Sequence, residues 1–576
     1  MGERGKAMNN KAYIDYLNSL HNYNAQNENA YGERNIENPY FEAVMVRVGL
    51  CDYIKTSLTE KEPHIIILTG HAGDGKTSIM YQVLSEFNAK YDSKEKLSEI
   101  TLPSGNICLC VKDFSEIPEV DSSNKMDRIN VMRRAVEIPE MGNYVFMVAN
   151  TGPLINTFGE LFDSDKDKEK AKIELINLMD ENTGEIVEIN GIKICVVNVA
   201  AVDNSYFAKA FLEKLIQDEL WKDCKSCTKC DYCHIYRNRE LIVKNKLKVC
   251  EFINNHFIWL VEYGNRLTIR SMTEQLTYML TGGISCSEVT PNDTYKYLFS
   301  NLFFGYIGTK LNDRALNIIA INAANHCMYD HKRLRSDEKL FVGKEYKELF
   351  GEEVEMIISE AEKKNVFVSG WAEFLRRTYL FMNIVIDETV VEQDYEDVFS
   401  KQFKRYLELR DGKDTPAKAD ANLIADALSM IYVGTTNDKS EIPLTLSRES
   451  GIAQNVQLII GTVPVRKLRV ESVKTQDGIF NIGKDRYELC LNINKENLDT
   501  VLTLPMLDYF EELKNGIIST NIDPQLSHGV ECLKAQISEI TKDDDDEDII
   551  EIIVLKNGGN KNIRIELTSD GKIREV

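Results

Sequence analysis

The segment that most constrains the fold is a glycine-rich stretch that directly follows a run of aliphatic residues. The run is Ile65-Ile66-Ile67-Leu68-Thr69, and Gly70-His71-Ala72-Gly73-Asp74-Gly75-Lys76-Thr77 comes next. A continuous apolar strand is typical of a parallel sheet that helices cover on both faces. Apolar residues at helical spacing follow the glycines. The pattern therefore predicts a buried strand over 64–69, a tight loop, and a helix over 75–88.

The loop has the spacing G-x4-G-K-T, in which backbone N–H groups surround nucleotide phosphates. In this pattern the lysine contacts the β- and γ-phosphates, the hydroxyl ligates Mg²⁺, and the helix N-terminus favours the negative charge. The sequence thus predicts a site for ATP and Mg²⁺, in which Thr77 is a ligand of the metal and Lys76 is a catalytic residue. The residues expected to bind the nucleotide are Gly70, Gly73, Asp74, Gly75, Lys76, Thr77 and Ser78.

Strand and helix patterns alternate after this loop. Further strands are predicted over 106–112, 144–149 and 192–199, and helices over 126–137 and about 167–179. This alternation indicates an α/β P-loop NTPase fold, an AAA+/STAND-like parallel sheet with helices on both faces. A helical region and a mixed α+β C-terminal region are expected to follow.

At 576 residues the chain is too long for a single hydrophobic core. We predict a polar N-terminal segment over 1–36 and a P-loop ATPase domain over 37–290, with a lead-in helix from Phe41 and a Cys-rich insertion at 221–240. A helical region over 291–410 and a mixed α/β region over 411–576 complete the prediction. The acidic run 543–548 is expected to be a solvated loop.

Hydrolysis needs an acid near Mg²⁺ at a strand end and a polar group that orients the attacking water. Asp113 follows the strand 106–112 and is the predicted acid, although it lies after the second predicted strand and not the third. Asn150 ends the strand 144–149 and is the predicted sensor of water or γ-phosphate, with Asn198 as its rival. Arg266 and Arg270 precede a predicted helix and could reach the γ-phosphate of their own chain or of a neighbouring subunit; either could instead form an ordinary salt bridge.

Four cysteines with the repeated spacing C-x2-C lie within ten residues, and His234 follows them directly. They are Cys224, Cys227, Cys230 and Cys233. Four thiolates satisfy tetrahedral Zn²⁺. Consecutive x2 spacings also occur in ferredoxin runs that bind a [4Fe-4S] cluster, and this alternative stays open beside unmetallated thiols.

The net charge indicates which partners suit the surface, and the apolar patterns indicate the location. The formal net charge is -22, so the whole surface is poorly suited to gripping phosphate backbones. No signal-peptide pattern and no run of about 18 apolar residues are present in the sequence, so we expect a cytoplasmic protein without a membrane partner.

Several short segments together resemble the DNA phosphorothioation-dependent restriction proteins of the DptF family and related P-loop ATPases of bacterial anti-phage defence. The segments are 73–77, 148–152, the cysteine run with Asn238, 267–270, 281–286, 376–379 and 502–505. The resemblance implies a cytosolic ATPase that restricts foreign DNA together with other protein subunits. The acidic surface favours DNA contact through those subunits, and a homo-oligomer is a further possibility. The alternatives are a nucleotide-gated, oligomerising signalling switch with slow hydrolysis, and a DNA translocase.

Overall fold

Two compact units make up the chain in the computed structural model: residues 1–391 with 478–483, and residues 392–477 with 484–576. The description below covers the following residues: 10–23, 35–89, 92, 94–119, 127–291, 295–364, 369–383, 388–434, 440–445, 455–476, 485–518, 522–541, 549–556, 559–568 and 572–575. The predicted acidic loop at 543–548 and parts of the polar segment 1–36 lie outside these residues.

A six-stranded sheet forms the centre of the first unit, in the order β2-β3-β4-β1-β6-β5. Its strands are β1 (Ile65–Thr69), β2 (Leu97–Thr101), β3 (Ile107–Val111), β4 (Tyr144–Val148), β5 (Val187–Ile189) and β6 (Ile192–Asn198). The four central strands β3, β4, β1 and β6 are parallel. The edge strands β2 and β5 pair antiparallel with their neighbours, so the sheet is mixed and not wholly parallel.

Helices cover both faces of this sheet, and successive side chains along each central strand point alternately into two hydrophobic cores. Ile66 and Leu68 pack with α3 (Gly49–Glu60) and α4 (Lys76–Glu86) on one face. Ile65 and Ile67 pack on the other face with α5 (Arg128–Glu137), α6 (Thr151–Gly159) and α7 (Asp165–Glu181). Burial on both faces explains why the central strands are mostly apolar.

The predicted lead-in helix is wrong in part. The chain forms a short helix α2 (Phe41–Val44), runs extended from Met45 to Val48, and enters α3 at Gly49. Val44, Val46 and Val48 are spaced two residues apart, which suits an extended chain better than a helix. An N-terminal helix α1 (Asn10–Ser19) also forms within the segment predicted to be polar, and the hydroxyl of its Tyr13 donates to the Leu215 carbonyl oxygen at 2.8 Å.

Helices dominate the remainder of the first unit. They are α8 (Phe207–Leu215), α9 (His234–Lys244), α10 (Lys246–Glu262), α11 (Ile269–Thr281), α12 (Phe299–Leu302), α13 (Ile319–His326), α14 (Tyr346–Phe350), α15 (Glu352–Lys363) and α16 (Trp371–Met382). A short hairpin of β7 (Tyr306–Ile307) and β8 (Lys310–Leu311) interrupts them. On α16, Arg376 pairs with Asp337 at 2.7 Å, and the fully buried Arg377 pairs with Asp330.

The helix α17 (Glu388–Val398) spans the division between the units. The second unit contains a three-stranded sheet, β11-β12-β13, and a five-stranded sheet, β16-β15-β14-β10-β9. Its strands are β9 (Glu441–Thr445), β10 (Val456–Pro464), β11 (Leu468–Gln476), β12 (Arg486–Ile493), β13 (Glu496–Val501), β14 (Ile549–Lys556), β15 (Gly559–Leu567) and β16 (Ile573–Glu575). Its helices are α18 (Phe403–Arg410), α19 (Lys418–Tyr432), α20 (Leu504–Lys514) and α21 (Pro524–Ile540). The C-terminal region therefore contains both sheets and helices, which is compatible with the predicted mixed α+β region, and it is rich in sheet.

No helix in the described part of the chain is both long enough and apolar enough to cross a membrane.

Candidate functional site

The glycine-rich loop leaves the carboxyl end of β1 and enters α4 at Lys76. Gly70, Gly73 and Gly75 have φ angles of +143°, +92° and +82°, which residues with a Cβ rarely adopt. A Cβ on Gly73 would also lie 3.1 Å from the Arg270 Cβ. Backbone conformation and close packing therefore both require glycine here, and the loop can turn its amides towards a ligand.

Lys76 is buried at the start of α4, and its ammonium group lies within the loop. The Nζ atom donates to the carbonyl oxygens of Gly70 at 2.9 Å and His71 at 2.8 Å. Burial lowers the pKa of Lys76, Asp74 and Asp113 oppose this, and Arg270 lowers it further. The site thus has a partly desolvated positive charge that a bound anion would stabilise.

Asp74 is the acidic residue of the loop, and its side chain has no exposed surface. Its carboxylate accepts the His71 amide at 3.0 Å and pairs with Arg266 Nη1 at 3.0 Å. A second guanidinium nitrogen of Arg266 donates to the Val199 carbonyl oxygen at 3.1 Å. The structure therefore places Arg266 in a salt bridge that connects the loop to the segment after β6.

The N-terminus of α11 packs directly against the glycine loop. The Arg270 amide donates to the Gly73 carbonyl oxygen at 3.1 Å. Thr268 caps this helix through its hydroxyl, which accepts the Ser271 amide, and also lies beside Gly73. A helix that starts about 195 residues after the loop in sequence thus forms one wall of the site, and Arg270 lines the cavity described below.

Asp113 and Asn150 lie at the carboxyl edge of the sheet, beyond β3 and β4. Since β4 lies between β3 and β1, the chain places both residues on the same edge as the glycine loop. The Asp113 carboxylate accepts the Ser115 amide at 2.8 Å, and the Ser115 hydroxyl accepts the Asn150 amide at 2.7 Å. The sequence pattern placed Asp113 after the second predicted strand because it missed the edge strand β2. When β2 is counted, Asp113 follows the third strand along the chain.

The structure distinguishes the two asparagines. Asn150 precedes α6, its side chain makes no capping hydrogen bond to that helix, and it lines the cavity. The Asn198 side chain accepts the Ala200 amide at 3.1 Å and donates to the Met179 carbonyl oxygen at 3.3 Å. Asn198 therefore holds the turn after β6, and Asn150 is the asparagine that faces the site.

One cavity of about 700 Å³ joins these groups. Its polar part contains the loop residues 72–78 with Asp113, Asn150, Arg266 and Arg270. Its apolar part is lined by side chains from the lead-in segment, from α8 and from α11, among them Val46, Val48, Leu50, Phe207, Phe211 and Ile269. The volume lies within the range of about 300–1,000 Å³ that is usual for small-ligand sites.

Two parts of this cavity were missed by the sequence reasoning. Glu116, in the 3₁₀ turn Phe114–Glu116 after Asp113, adds an exposed carboxylate to the lining. The apolar lining from residues 41–50 and 202–211 is the second part. The spacing Asp113-x2-Glu116 was available in the sequence, but the apolar residues carry no local signal because only tertiary folding brings them to the loop.

The cysteine run folds as two 3₁₀ turns, Asp218–Ser226 and Cys230–Tyr232. Cys224 is buried, Cys227 is exposed, and Cys230 and Cys233 are half-buried. Among the described residues, no group of three or more His, Cys, Asp or Glu side chains is arranged to hold a metal ion. His234 stacks on Tyr297 and lies 3.3 Å from the Thr281 carbonyl oxygen.

Comparison of the chain with protein-family models, with curated proteins and with solved structures finds no match.

Proposed function

We propose that the chain binds ATP with Mg²⁺ in the 700 Å³ cavity and hydrolyses it. The observation that carries this proposal is the convergence of four separate elements on one space. The glycine loop, the acid after β3, the asparagine after β4 and the N-terminus of α11 all line that cavity.

The lining suits the parts of a nucleoside triphosphate. The amides of the glycine loop and the N-terminus of α4 favour phosphate, and Lys76 supplies a charge that can leave its two carbonyl partners. The apolar side chains of Val46, Val48 and Phe207 suit a base that is half-buried. The Thr77 hydroxyl and the Asp113 carboxylate supply oxygen donors, which Mg²⁺ prefers.

Each polar residue of the cavity has a role in phosphoryl transfer under this proposal. Thr77 and Asp113 would hold Mg²⁺, which would offset the negative charge of the phosphates. Asn150 would orient the attacking water, with Glu116 as the nearby carboxylate that accepts its proton. Arg270 would bring positive charge to the γ-phosphate, since its backbone is already fixed against the loop.

The biological setting follows from the family resemblance and is part of the proposal. It is a bacterial DNA restriction or anti-phage complex in which nucleotide state controls engagement of partner subunits or DNA. A net charge of -22 supports a division of labour in which other subunits hold the DNA.

A nucleotide-gated signalling switch is the second candidate, and two contacts favour it. The same end of α11 touches the glycine loop through Arg270, and the Asp74–Arg266 salt bridge holds the loop from the segment just before α11. A ligand that alters the loop would therefore alter these contacts. A switch of this kind requires only binding, with slow or absent turnover.

Turnover measurements with and without DNA test the proposal and separate the candidates. We expect wild-type protein to release phosphate from ATP and Asp113→Asn to lose about two orders of magnitude in turnover while ATP binding is retained. Asp127→Asn is the matched control, because Asp127 also accepts a backbone amide at a helix start. Equal turnover in both variants would refute the role of Asp113. ATP-driven oligomerisation without turnover would support the switch.

A further inference from the structure

One face of the five-stranded sheet in the second unit is aliphatic and exposed to solvent. Along β10, Val456, Leu458 and Ile460 are 55%, 41% and 45% exposed, whereas Gln457 and Ile459 between them are buried. Successive side chains of a strand point to opposite faces of its sheet, so β10 has one covered face and one open face. Exposed aliphatic residues are ordinarily scattered singly over a protein surface, and three in one row are therefore informative.

The register of the sheet extends this open face over two further strands. Val456 lies opposite Val554, and Leu458 lies opposite Ile552, on β14. Side chains of directly opposed residues share one face, so the row on β10 continues on β14 and, by the same pairing, on β15. The aliphatic members from β14 and β15 are Ile550, Ile552, Val554, Ile563 and Ile565. Ile550 is 40% exposed, and the other four are half-buried.

The edge strand β16 completes the open face. Ile573 is 71% exposed, and Glu575, two residues later, lies opposite Ile565 of β15. Residues two apart on a strand share a face, so Ile573 and Glu575 both lie on the open face. The open face thus spans β10, β14, β15 and β16, which are neighbours in the sheet.

The opposite face of the same strands is covered. Ile553, which lies opposite Gln457, is only 2% exposed. A Cβ on Gly461 would lie 3.5 Å from the Thr541 carbonyl oxygen, so β10 passes close to the end of α21. The sheet therefore packs against its own unit through the covered face, and burial within that unit does not account for the aliphatic residues of the open face.

Charge narrows the kind of partner that suits the open face. Among its described side chains, the charged ones are Lys561, opposite Val554, and Glu575. Lys561 Nζ lies 3.0 Å from Glu575 Oε1, so the two charges offset each other. Because these charges are already paired, a strongly basic or acidic partner gains little here. A neutral aliphatic surface complements this face best.

We propose that the open face is a docking surface for a second copy of this chain, and that the two copies pack open face against open face about a two-fold axis. Both partners in a two-fold contact present the same patch, so an uncharged aliphatic patch is complementary to itself. Two sheets pack in this way in a β-sandwich, with the side chains of the inner faces interdigitated. The net charge of -22 makes two copies repel each other elsewhere, which leaves a neutral face as the place where they can meet.

The size of the open face sets the strength of this contact. With strands about 4.8 Å apart and a rise of about 3.3 Å per residue, four strands along the length of Val456 to Ile460 cover about 300 Å² in plan. A stable interface usually buries about 800 Å² per partner. The dimer is therefore expected to be reversible, with a dissociation constant in the micromolar range.

Sedimentation of the full-length protein without nucleotide, from about 1 to 100 µM, tests the proposal apart from any ATP-driven assembly. We expect wild type to pass from monomer to dimer over this range. Leu458→Glu should raise the dissociation constant at least about tenfold, because each contact would then place two carboxylates in an apolar interface. Val473→Glu is the matched control, since Val473 lies on β11 in the other sheet of this unit and is 40% exposed. This control should dimerise as wild type does.

Four results would overturn the proposal. Wild type could stay monomeric up to about 100 µM, or it could form species larger than a dimer, which a two-fold contact does not produce. Leu458→Glu could leave the dimer unchanged, or Val473→Glu could weaken it equally, because another surface or a general effect of added charge would then explain the association. If circular dichroism shows that Leu458→Glu does not fold, Val456→Glu makes the same test.

The salt dependence of the wild-type dimer is a second measurement, and it needs no variant. Raising the salt concentration from about 0.05 to 0.5 M screens the repulsion between two acidic chains, so an apolar contact should strengthen. A contact held by ion pairs would weaken over the same range. A dissociation constant that rises with salt would therefore refute docking through the open face.

Discussion

Replacement of Lys76 by alanine gives the most direct measure of the proposed nucleotide site. Without ligand, the Lys76 ammonium donates to the Gly70 and His71 carbonyl oxygens, and burial lowers its pKa. The two hydrogen bonds and the desolvation cost oppose each other, so we expect the unliganded protein to change in stability by only about 1 kcal/mol. With ATP, the variant loses a positive charge and two charge-assisted hydrogen bonds to phosphate.

Those two bonds are worth about 1.5–3 kcal/mol each, so ATP binding should weaken by at least about a hundredfold. At an ATP concentration of about 100 times the wild-type Kd, ATP binding stabilises the wild-type fold by about 2.7 kcal/mol. The same concentration would stabilise Lys76→Ala by only about 0.4 kcal/mol. Thermal unfolding with and without ATP and Mg²⁺, supported by calorimetric titration, measures this difference.

Lys112→Ala is the matched control for this experiment. Lys112 is also a buried lysine at the end of a sheet strand, and its Nζ donates to the Asp92 carbonyl oxygen at 2.5 Å, but it does not line the cavity. We expect this variant to keep the full ATP-induced stabilisation, whatever its own stability. An ATP-induced shift in Lys76→Ala equal to that of wild type would refute the assignment of the site.

Two further predictions concern a buried ion pair at the loop and a buried carboxyl group on α11. Arg266→Ala leaves the buried Asp74 carboxylate with the His71 amide alone, so unfolding free energy by denaturant titration should fall by about 3 kcal/mol; a loss below about 1 kcal/mol would contradict this. Burial raises the pKa of Glu274 from 4.5 to about 7 while Arg270 opposes it. The folded state then binds the extra proton between pH 4.5 and 7, so stability should fall across this window as pH rises, by about 3 kcal/mol in total. Glu274→Gln should flatten that dependence in pH-resolved unfolding, and an unchanged slope would refute it.

The central strands could be predicted from the sequence because each is apolar on both faces. Runs such as 65–68 and 194–197 are buried throughout, which only a covered sheet explains. The edge strands β2 and β5 were missed for the opposite reason. An edge strand such as Leu97–Thr101 is half-exposed and carries polar residues, so its pattern differs little from that of a loop.

The helix α6 was also missed, and its composition is the cause. Gly152 and Pro153 lie in its first turn and Gly159 at its end, residues that usually break helices in the interior. Proline is tolerated in a first turn because the N–H groups there have no partner within the helix. The segment therefore forms a helix, although its residue types alone favour a turn.

The sequence predicted those residues of the candidate site that follow a recognisable strand. It could not predict which of them face the site, because that depends on the tertiary structure. Asp113 and Asn150 could be proposed because polar residues at the ends of parallel strands share one edge of a sheet. The choice between Asn150 and Asn198 required the structure, because both follow apolar strands. Only the hydrogen bonds of the Asn198 side chain, with the Ala200 amide and with the Met179 carbonyl oxygen on α7, show that it holds backbone segments.

The sequence by itself determined the strand, the glycine loop and the helix start from 65 to 77, since these depend on residues that adjoin one another. Glycine at three left-handed positions and a lysine at the helix start are local requirements of the backbone. The tertiary structure decided what surrounds that loop. Arg270, Phe207 and Val46 are distant from the loop in sequence, yet all three line the same cavity. Contacts of this kind depend on how helices pack on the sheet, which no local spacing specifies.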